Sequence, residues 1–192
     1  MMALTLDMQT ADLALTEADF YRLCKANPKL RLELSASGEL VVMPPTGWDT
    51  GYRNASLNRL IGNWATTDGT GIVFDSSTGF TLPSGAIRSP DVSWILRSRI
   101  EAINPDPYKF LPLCPDFAVE LHSASDSLSP IQEKLQEYLD NGLRLGWLID
   151  SKRRIIEIYR PEQPVKTVDF STEISGEPVL KEFTLDIKQI YP

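Results

Sequence analysis

Two short runs near the middle of the chain alternate apolar and polar side chains as strands do. The run 117–122 places Phe, Val and Leu on one face and Ala, Glu120 and His122 on the other. The run 91–96 places Val, Trp and Leu together and turns Asp91 the opposite way. We expect Asp91 and Glu120 to meet at one end of a sheet, where two hard oxygen ligands suit Mg²⁺ or Mn²⁺ better than zinc.

Each of these carboxylates has a structural alternative. Asp91 follows Pro90, and an isolated Pro-Asp pair often only caps a turn. Glu120 lies inside an apolar strand, where an unpaired carboxylate costs several kcal/mol, so pairing with an arginine is the alternative to a metal. Asp116 has the same parity as Glu120 but follows Pro115, which also suits a cap at the start of the strand.

A helix is predicted after the second strand. Ser129, Pro130 and Gln132 fit the N-cap, first and third positions of a capping box, and Gly142 fits the stop. The apolar stripe of this helix consists of Ile131, Leu135, Tyr138 and Leu139. Lys134 lies at the edge of that stripe, so its stem can follow the sheet while its ammonium reaches polar groups at the sheet end.

The rest of the chain predicts alternating helices and strands in one domain, residues 1–192. The predicted elements are a helix after Thr16, a hairpin over 30–43, a helix capped by Asp49 or Thr50, strands at 71–74, 78–82 and 88–96, an exposed loop over 98–113, and strands at 145–150, 155–160, 165–170 and 179–185. Residues 1–15 show no period and are expected to form a loose arm. A right-handed crossover would make strands 115–122 and 145–150 parallel. The order predicts an α+β fold with an α/β core, in which helices flank a mixed sheet and further strands are antiparallel.

Composition limits the function. Hydrophobic residues make up 42% of the chain, charged residues 23%, and the net charge is −7, which counts against avid, non-specific DNA binding. Cys24 and Cys114 are too few for a disulfide scaffold or a metal cluster. The sequence has no basic leader and no apolar run long enough to span a membrane, so we expect a cytoplasmic protein without a membrane partner.

Several motifs resemble one known family. The stretches that carry the resemblance are, in chain order, Glu33-Leu34, Gly38 to Pro45, Leu82 to Gly85, Ser89 to Trp94, Pro115 to Leu121, Lys134 to Tyr138 and Gly146 to Asp150. They are similar to the Uma-type putative restriction endonucleases, a family abundant in cyanobacteria that belongs to the PD-(D/E)XK nuclease superfamily. The resemblance implies a restriction-endonuclease-like fold.

The resemblance also implies roles for individual residues. Asp91 would be the first acidic residue and Glu120 the second, with the backbone carbonyl of Leu121 completing the metal ligands. The lysine that usually lies two residues after the second acid would fall where this chain has His122, and in this family it is replaced by a lysine on the next helix, here Lys134. His122 shares the face of Glu120 and is a further catalytic candidate.

Glu33 lies on the polar face of its strand, and the resemblance suggests that it points towards the site as an outer ligand. The implied activity is Mg²⁺- or Mn²⁺-dependent hydrolysis of DNA phosphodiester bonds, and a homodimer would supply two sites for double-strand cleavage. The alternative is a non-catalytic binding or assembly protein with a partly degraded site. The acidic net charge favours it, and so does the stretch 48–52, which lacks a histidine that many relatives carry there.

Overall fold

The computed structural model describes residues 3–8, 10, 13–123 and 127–191. Its helices are α1 (Glu17–Ala26), α2 (Trp48–Asp68), α3 (Arg97–Ile103), α4 (Leu128–Asp140) and a short 3-10 helix (Ile187–Gln189). Its strands are β1 (Leu4–Asp7), β2 (Arg31–Leu34), β3 (Glu39–Met43), β4 (Gly71–Asp75), β5 (Phe80–Thr81), β6 (Ile87–Arg88), β7 (Val92–Leu96), β8 (Phe117–His122), β9 (Leu145–Asp150), β10 (Ile155–Tyr159), β11 (Lys166–Asp169), β12 (Ile174–Ser175) and β13 (Thr184–Leu185).

The described strands form three sheets. The large sheet has the order β11-β10-β9-β8-β7-β4, and the small sheet has the order β1-β3-β2-β6-β5. Strands β8 and β9 are parallel, as the crossover through α4 predicts, while β7 runs antiparallel to β8. A pair of short strands, β12 and β13, completes the structure. The predicted α+β fold with a mixed sheet is confirmed.

Helices cover both faces of the large sheet. On one face Leu57 and Ile61 of α2 join a core with Phe117 and Trp147. On the other face Leu135 and Tyr138 of α4 join a second core. All residues of β8 and β9 are therefore buried, including the polar ones. A carboxylate in the middle of β8 must find its partners within the protein.

The predicted strand 88–96 is wrong, because the chain changes sheets within it. Ile87 pairs with Leu34 in the small sheet, whereas β7 belongs to the large sheet. The bend Ser89–Asp91 separates the two strands. Pro90 has no N–H and cannot donate to a strand ladder, so this is a natural point for the break. Asp91 is consequently placed where the two sheets meet.

The predicted capping box of α4 is also wrong. The N-cap is Ser127, whose side chain makes no capping hydrogen bond, and Pro130 is the third helical residue, where an N–H would have no partner within the helix. Ser129 instead donates from Oγ to Oε1 of Glu133 at 2.9 Å. The predicted stop is confirmed, since Gly142 follows the helix with a φ of +101°.

Part of the predicted loop 98–113 is the helix α3. Its seven residues contain neither glycine nor proline, and Ile100 packs against a core, so packing stabilises a helix that lacks a polar N-cap. Likewise α2 begins at Trp48 after Gly47, ahead of the predicted caps.

Two terminal predictions differ from the structure. Residues 4–7, within the expected loose arm, form β1 and pair with β3. Only Thr184–Leu185 of the predicted strand 179–185 is a strand. Within the described ranges, the structure contains no helix with the length and apolarity that crossing a membrane requires.

Candidate active site

Asp91 and Glu120 lie on neighbouring strands at the edge where β8 ends. Val92 pairs with Val119, and continuing this antiparallel register by one residue sets Asp91 opposite Glu120. Directly opposed residues of an antiparallel pair share one face, with Cβ atoms about 4.5–5.5 Å apart. The parity expected from the sequence therefore brings the two carboxylates together.

The Asp91 carboxylate is held at both oxygens. Its Oδ2 accepts a hydrogen bond from the backbone N–H of Leu121 at 2.8 Å, and its Oδ1 accepts one from Nδ2 of Asn54 at 3.0 Å. The N–H and C=O of a strand residue point towards the same neighbouring strand. The carbonyl of Leu121 therefore also faces the Asp91 side, the position in which it was predicted to act as a ligand.

Lys134 reaches the same edge from α4. Its ammonium lies 2.8 Å from Oε1 of Glu120 and 2.8 Å from Oε1 of Glu33. One turn further along α4, the hydroxyl of Tyr138 donates to Oε1 of Glu120 at 3.3 Å. Helix α4 covers the face of β8 on which Glu120 lies, so two side chains of one helical face converge on this carboxylate.

Glu33 links this contact to a second buried cation. Its Oε1 also accepts from the backbone N–H of Ser89 at 2.9 Å, and its Oε2 lies 3.3 Å from Nη1 of Arg88. Arg88 donates from Nε to Oε2 of Glu137 at 2.5 Å. We call Glu33, Arg88, Glu120, Lys134 and Glu137 the Lys134 cluster. It joins the small sheet, β8 and α4 around the site.

Burial and charge shift the acidity of these groups. Burial, assisted by the Asp91 and Glu33 carboxylates, raises the pKa of Glu120 to about 7 despite the nearby Lys134 ammonium. Burial also raises the pKa of Asp91, although the N–H of Leu121 opposes it. Burial alone would lower the pKa of Lys134, but the two carboxylates beside it outweigh burial and raise it. For Glu33 burial is outweighed by its two cations, and its pKa is lowered.

The donor set fits a divalent cation. The three carboxylates of the Lys134 cluster contact its two cations, and Asp91 adds a fourth carboxylate that forms no ion pair among the described residues. Full ionisation therefore leaves two negative charges, which one divalent cation would neutralise. In addition, Oδ1 of Asn54 is buried beside Asp91 without a hydrogen-bond partner among the described residues. No group of three or more His, Cys, Asp or Glu side chains in those residues has metal-site geometry.

His122 is buried at the end of β8 and contacts a carboxylate on the neighbouring strand. Its Nδ1 lies 3.2 Å from Oδ1 of Asp150, its register partner on β9. Arg153 donates from Nε to Oδ2 of Asp150 at 2.5 Å. Burial would raise the pKa of Asp150, but hydrogen bonds from Arg153 and His122 outweigh it and lower the pKa to about 2.

Replacing Asp150 with asparagine should lower the free energy of unfolding by about 2 kcal/mol near neutral pH. The ionised carboxylate stabilises the fold above its unfolded pKa near 3.8, and this contribution is lost as the pH falls towards the folded value of about 2. Urea denaturation of the wild type and of Asp150→Asn should therefore show a difference in the free energy of unfolding that becomes smaller as the pH is lowered. The exposed Asp106→Asn change is the control and should have little effect at either pH. An equal loss of stability at low pH would contradict the assignment.

Asp116 belongs to the opposite end of the sheet. It precedes β8, accepts a hydrogen bond from the N–H of Leu96 at 2.9 Å and lies 2.9 Å from Nη1 of Arg99. The alternative interpretation as a cap at the start of the strand is therefore the observed one.

Four residues around the site are not predicted by the sequence patterns: Asn54, Arg88, Glu137 and Asp150. Arg88 follows two apolar residues in a strand, and a cation in such a place needs a buried anion. Glu137 lies three residues after Lys134 on the same side of α4. These two signals are present in the sequence, but Asn54 and Asp150 depend on contacts between elements that local patterns do not show.

Comparisons with known proteins identify the fold and the family of the chain. The model of the Uma2 family, described as "putative restriction endonuclease", matches residues 17–188. The crystal structure of a "putative nuclease belonging to DUF820" from Anabaena variabilis ATCC 29413 superposes with a TM-score of 0.78 at 20% identity, covering 92% of this chain and 97% of that one, which shows a shared fold. No curated protein matches the chain. Because the family model spans most of the sequence, this chain belongs to the Uma2 family.

Proposed function

We propose that the chain is a metal-dependent endonuclease that hydrolyses phosphodiester bonds in DNA. The observation that carries the proposal is the buried contact of Lys134 with Glu120. Glu120 lies on β8, and Asp91 directly precedes the neighbouring strand β7. Two carboxylates that can hold a metal ion, with a fixed cation beside them, suit phosphodiester hydrolysis, in which negative charge develops on the phosphate. The Uma2 family is described as "putative restriction endonuclease" and the Anabaena protein as a "putative nuclease", and both descriptions support the same reaction class.

Asp91, Glu120 and the carbonyl of Leu121 would hold Mg²⁺ or Mn²⁺, with Glu33 in an outer position. When bound, such a cation would polarise the scissile phosphate and lower the pKa of a water molecule. Glu33 keeps its negative charge beside Arg88 and Lys134, so it holds the Lys134 ammonium in place. The protein thus presents fixed charges that need little rearrangement when negative charge develops.

Lys134 would act as a cation towards the scissile phosphate. Two carboxylates hold its ammonium and raise its pKa, so it donates hydrogen bonds to phosphate oxygens and orients the attacking water. His122 has a lesser catalytic role in this proposal, because its Nδ1 is engaged with Asp150.

The proposal is tested by incubating supercoiled and linear DNA with the protein and Mg²⁺ or Mn²⁺. Nicked or linear products should form with the wild type and not with Glu120→Gln, which keeps the shape of the side chain and removes its charge. Cleavage by both proteins would indicate a contaminating nuclease.

A non-catalytic binding protein is the second candidate, favoured by the net charge of −7. Saturable DNA binding with no cleavage under any divalent metal would favour it over the nuclease.

Affinity for Mn²⁺ should increase with pH and level off above about pH 7. The reason is that Glu120, with a pKa of about 7, must lose its proton before it can act as a ligand. Calorimetric titration should show about a tenfold gain per pH unit below this value. In Glu120→Gln the affinity should be weak and its pH dependence flatter. A wild-type affinity that does not change with pH would contradict the role of Glu120.

We further propose a homodimer, because two sites are needed to cut both strands. Strand β11 is the edge of the large sheet and its backbone is open to pairing. Sedimentation velocity at micromolar concentration should give twice the mass of the chain, whereas a single monomeric species would oppose this proposal.

A further inference from the structure

A group of cations lies at the same edge of the large sheet as the proposed centre. The turn from β9 to β10, residues 151–154, reads Ser-Lys-Arg-Arg, and we call it the basic turn. Strands β8 and β9 are parallel and end side by side, because His122 pairs with Asp150. The basic turn therefore begins at the edge of the sheet where β8 ends, and this end of β8 is two residues after Glu120. The antiparallel β7 begins at this edge, directly after Asp91. The basic turn therefore flanks the proposed centre.

The basic turn and the C-terminal segment enclose a pocket of about 470 Å³. Three of its lining side chains are cations, Arg153, Arg154 and Lys188, and one is an anion, Asp169. Oδ1 of Asp169 already accepts hydrogen bonds from the backbone and side chain of Ser171. The pocket therefore has an excess of positive charge in a chain whose net charge is −7.

Two of these cations remain available to a ligand. Arg153 is occupied by ion pairs with Asp150 and Glu157. Arg154 and Lys188 are exposed, and within the described part of the chain neither forms an ion pair. The pocket thus presents two cations that no carboxylate neutralises.

Arg154 is held in an unusual conformation. Its φ is +55°, a left-handed region that residues other than glycine seldom adopt. The backbone N–H of Phe170 donates to its carbonyl at 3.2 Å, and its guanidinium lies 5.3 Å from the centre of the Phe170 ring. These contacts orient the guanidinium beside the pocket, which lowers the entropy lost when it binds an anion.

A series of contacts also connects the pocket with the proposed centre at the end of the sheet. Tyr191 lines the pocket and lies against Ser151, and the guanidinium of Arg53 lies 4.0 Å from its ring centre. Arg53 belongs to the turn of α2 that supplies Asn54 to Asp91. A chain bound at the centre can therefore extend over α2 and Tyr191 into the pocket.

We propose that this pocket binds a backbone phosphate of the nucleic acid, flanking the phosphate that is cleaved. The inference rests on the proposed function, because it names the substrate contact of that same site. A phosphodiester is the anion that any nucleic acid brings to this edge, and two unpaired cations in a concave surface suit it. A local excess of positive charge at the pocket also allows a chain with a negative net charge to bind nucleic acid.

The test measures binding without cleavage, by fluorescence anisotropy of labelled oligonucleotides in EDTA over a series of salt concentrations. The variant is the double change Arg154→Asn with Lys188→Gln. Asparagine tolerates the positive φ of position 154, so the fold is kept while both charges are removed. Dissociation constants should rise about tenfold. The plot of log Kd against log salt concentration should become less steep by about 2, the value expected for the loss of two phosphate contacts.

The matched control is Lys29→Gln with Lys109→Gln. Both lysines are exposed; Lys29 follows α1, and Lys109 lies next to Tyr108, whose carbonyl accepts a hydrogen bond from Tyr21 of α1. The control changes the net charge by the same amount and should leave binding within about twofold of the wild type, as expected for lysines that do not contact phosphate. Circular dichroism and melting temperature should be unchanged in both double variants.

Duplex DNA, single-stranded DNA and duplex RNA are compared to identify the source of the phosphate. A selective loss in the pocket variant, on one polymer or on all three, supports the inference. Equal binding by the two double variants overturns it, whether or not the wild type cleaves DNA. A selective loss together with a wild type that never cleaves would sustain the pocket and refute the nuclease.

Discussion

Replacing Lys134 with methionine should lower the rate of DNA cleavage by about 10²-fold or more, the usual scale for a charge-stabilising group. Methionine keeps the length of the side chain and removes the ammonium that contacts Glu33 and Glu120. Affinity for Mn²⁺ at alkaline pH, where Glu120 is ionised, should be retained or increased, because the cation that competes for these carboxylates is gone. Steady-state cleavage and calorimetric titration on the same preparation separate the two effects.

The same change should also reduce the stability of the fold. The Lys134 side chain is 11% exposed, and its removal takes from Glu120 the cation that lies against it. We expect a loss of about 3 kcal/mol at alkaline pH, the scale for breaking a buried ion pair. The loss should be smaller below about pH 7, where Glu120 takes up a proton and carries no unpaired charge. Added Mn²⁺ should restore part of it, since a ligand stabilises the state that binds it.

Two further variants check this assignment. Lys29→Met removes an exposed ammonium that forms no ion pair within the described residues, and it should leave cleavage unchanged. His122→Ala should reduce cleavage much less than Lys134→Met. If His122 proved essential and Lys134 dispensable, the imidazole would carry the role assigned here to the lysine.

Local periodicity predicts the elements of the large sheet well because each packs along a continuous apolar stripe. The stripe of α4, with Leu135 and Tyr138 buried, is confirmed, as is the parallel pairing of β8 with β9. Periodicity does not show which strand an element pairs with. The run 88–96 therefore looks like one strand, although Arg88 pairs with Phe80 in the small sheet while β7 belongs to the large sheet.

The site is predictable to the extent that it depends on strand parity. Parity alone puts Asp91 and Glu120 on one face, and the register of β7 and β8 sets them opposite each other. The sequence marks Arg88 and Glu137 as charged residues in partly buried positions, but their pairing with each other depends on how the small sheet packs on α4. The start of α4 is not predictable either, since Ser127 makes no side-chain capping bond.

Replacing Asp91 with asparagine should abolish detectable cleavage and weaken Mn²⁺ binding by about 10²-fold or more, because the proposed site keeps only one charged ligand. The protein should fold normally. The carbonyl of the new amide can accept from the N–H of Leu121, and its NH₂ can donate to Oδ1 of Asn54, which has no partner within the described residues. Burial already raises the pKa of Asp91, so removing its charge relieves a desolvation cost.

Asp116, a buried carboxylate at the other end of the sheet, is the matched control, and its replacement should affect stability and not metal binding. Asp116→Asn should leave Mn²⁺ affinity unchanged and lower stability by about 1 kcal/mol, because the partly exposed Arg99 and Arg144 lose the carboxylate that they share. Calorimetric titration should therefore show weaker Mn²⁺ binding for Asp91→Asn and wild-type binding for Asp116→Asn. Urea denaturation should show a lower free energy of unfolding for Asp116→Asn and no decrease for Asp91→Asn. Wild-type Mn²⁺ affinity in a folded Asp91→Asn protein would remove Asp91 from the ligand set and leave its contacts with Leu121 and Asn54 as a structural cap where the two sheets meet.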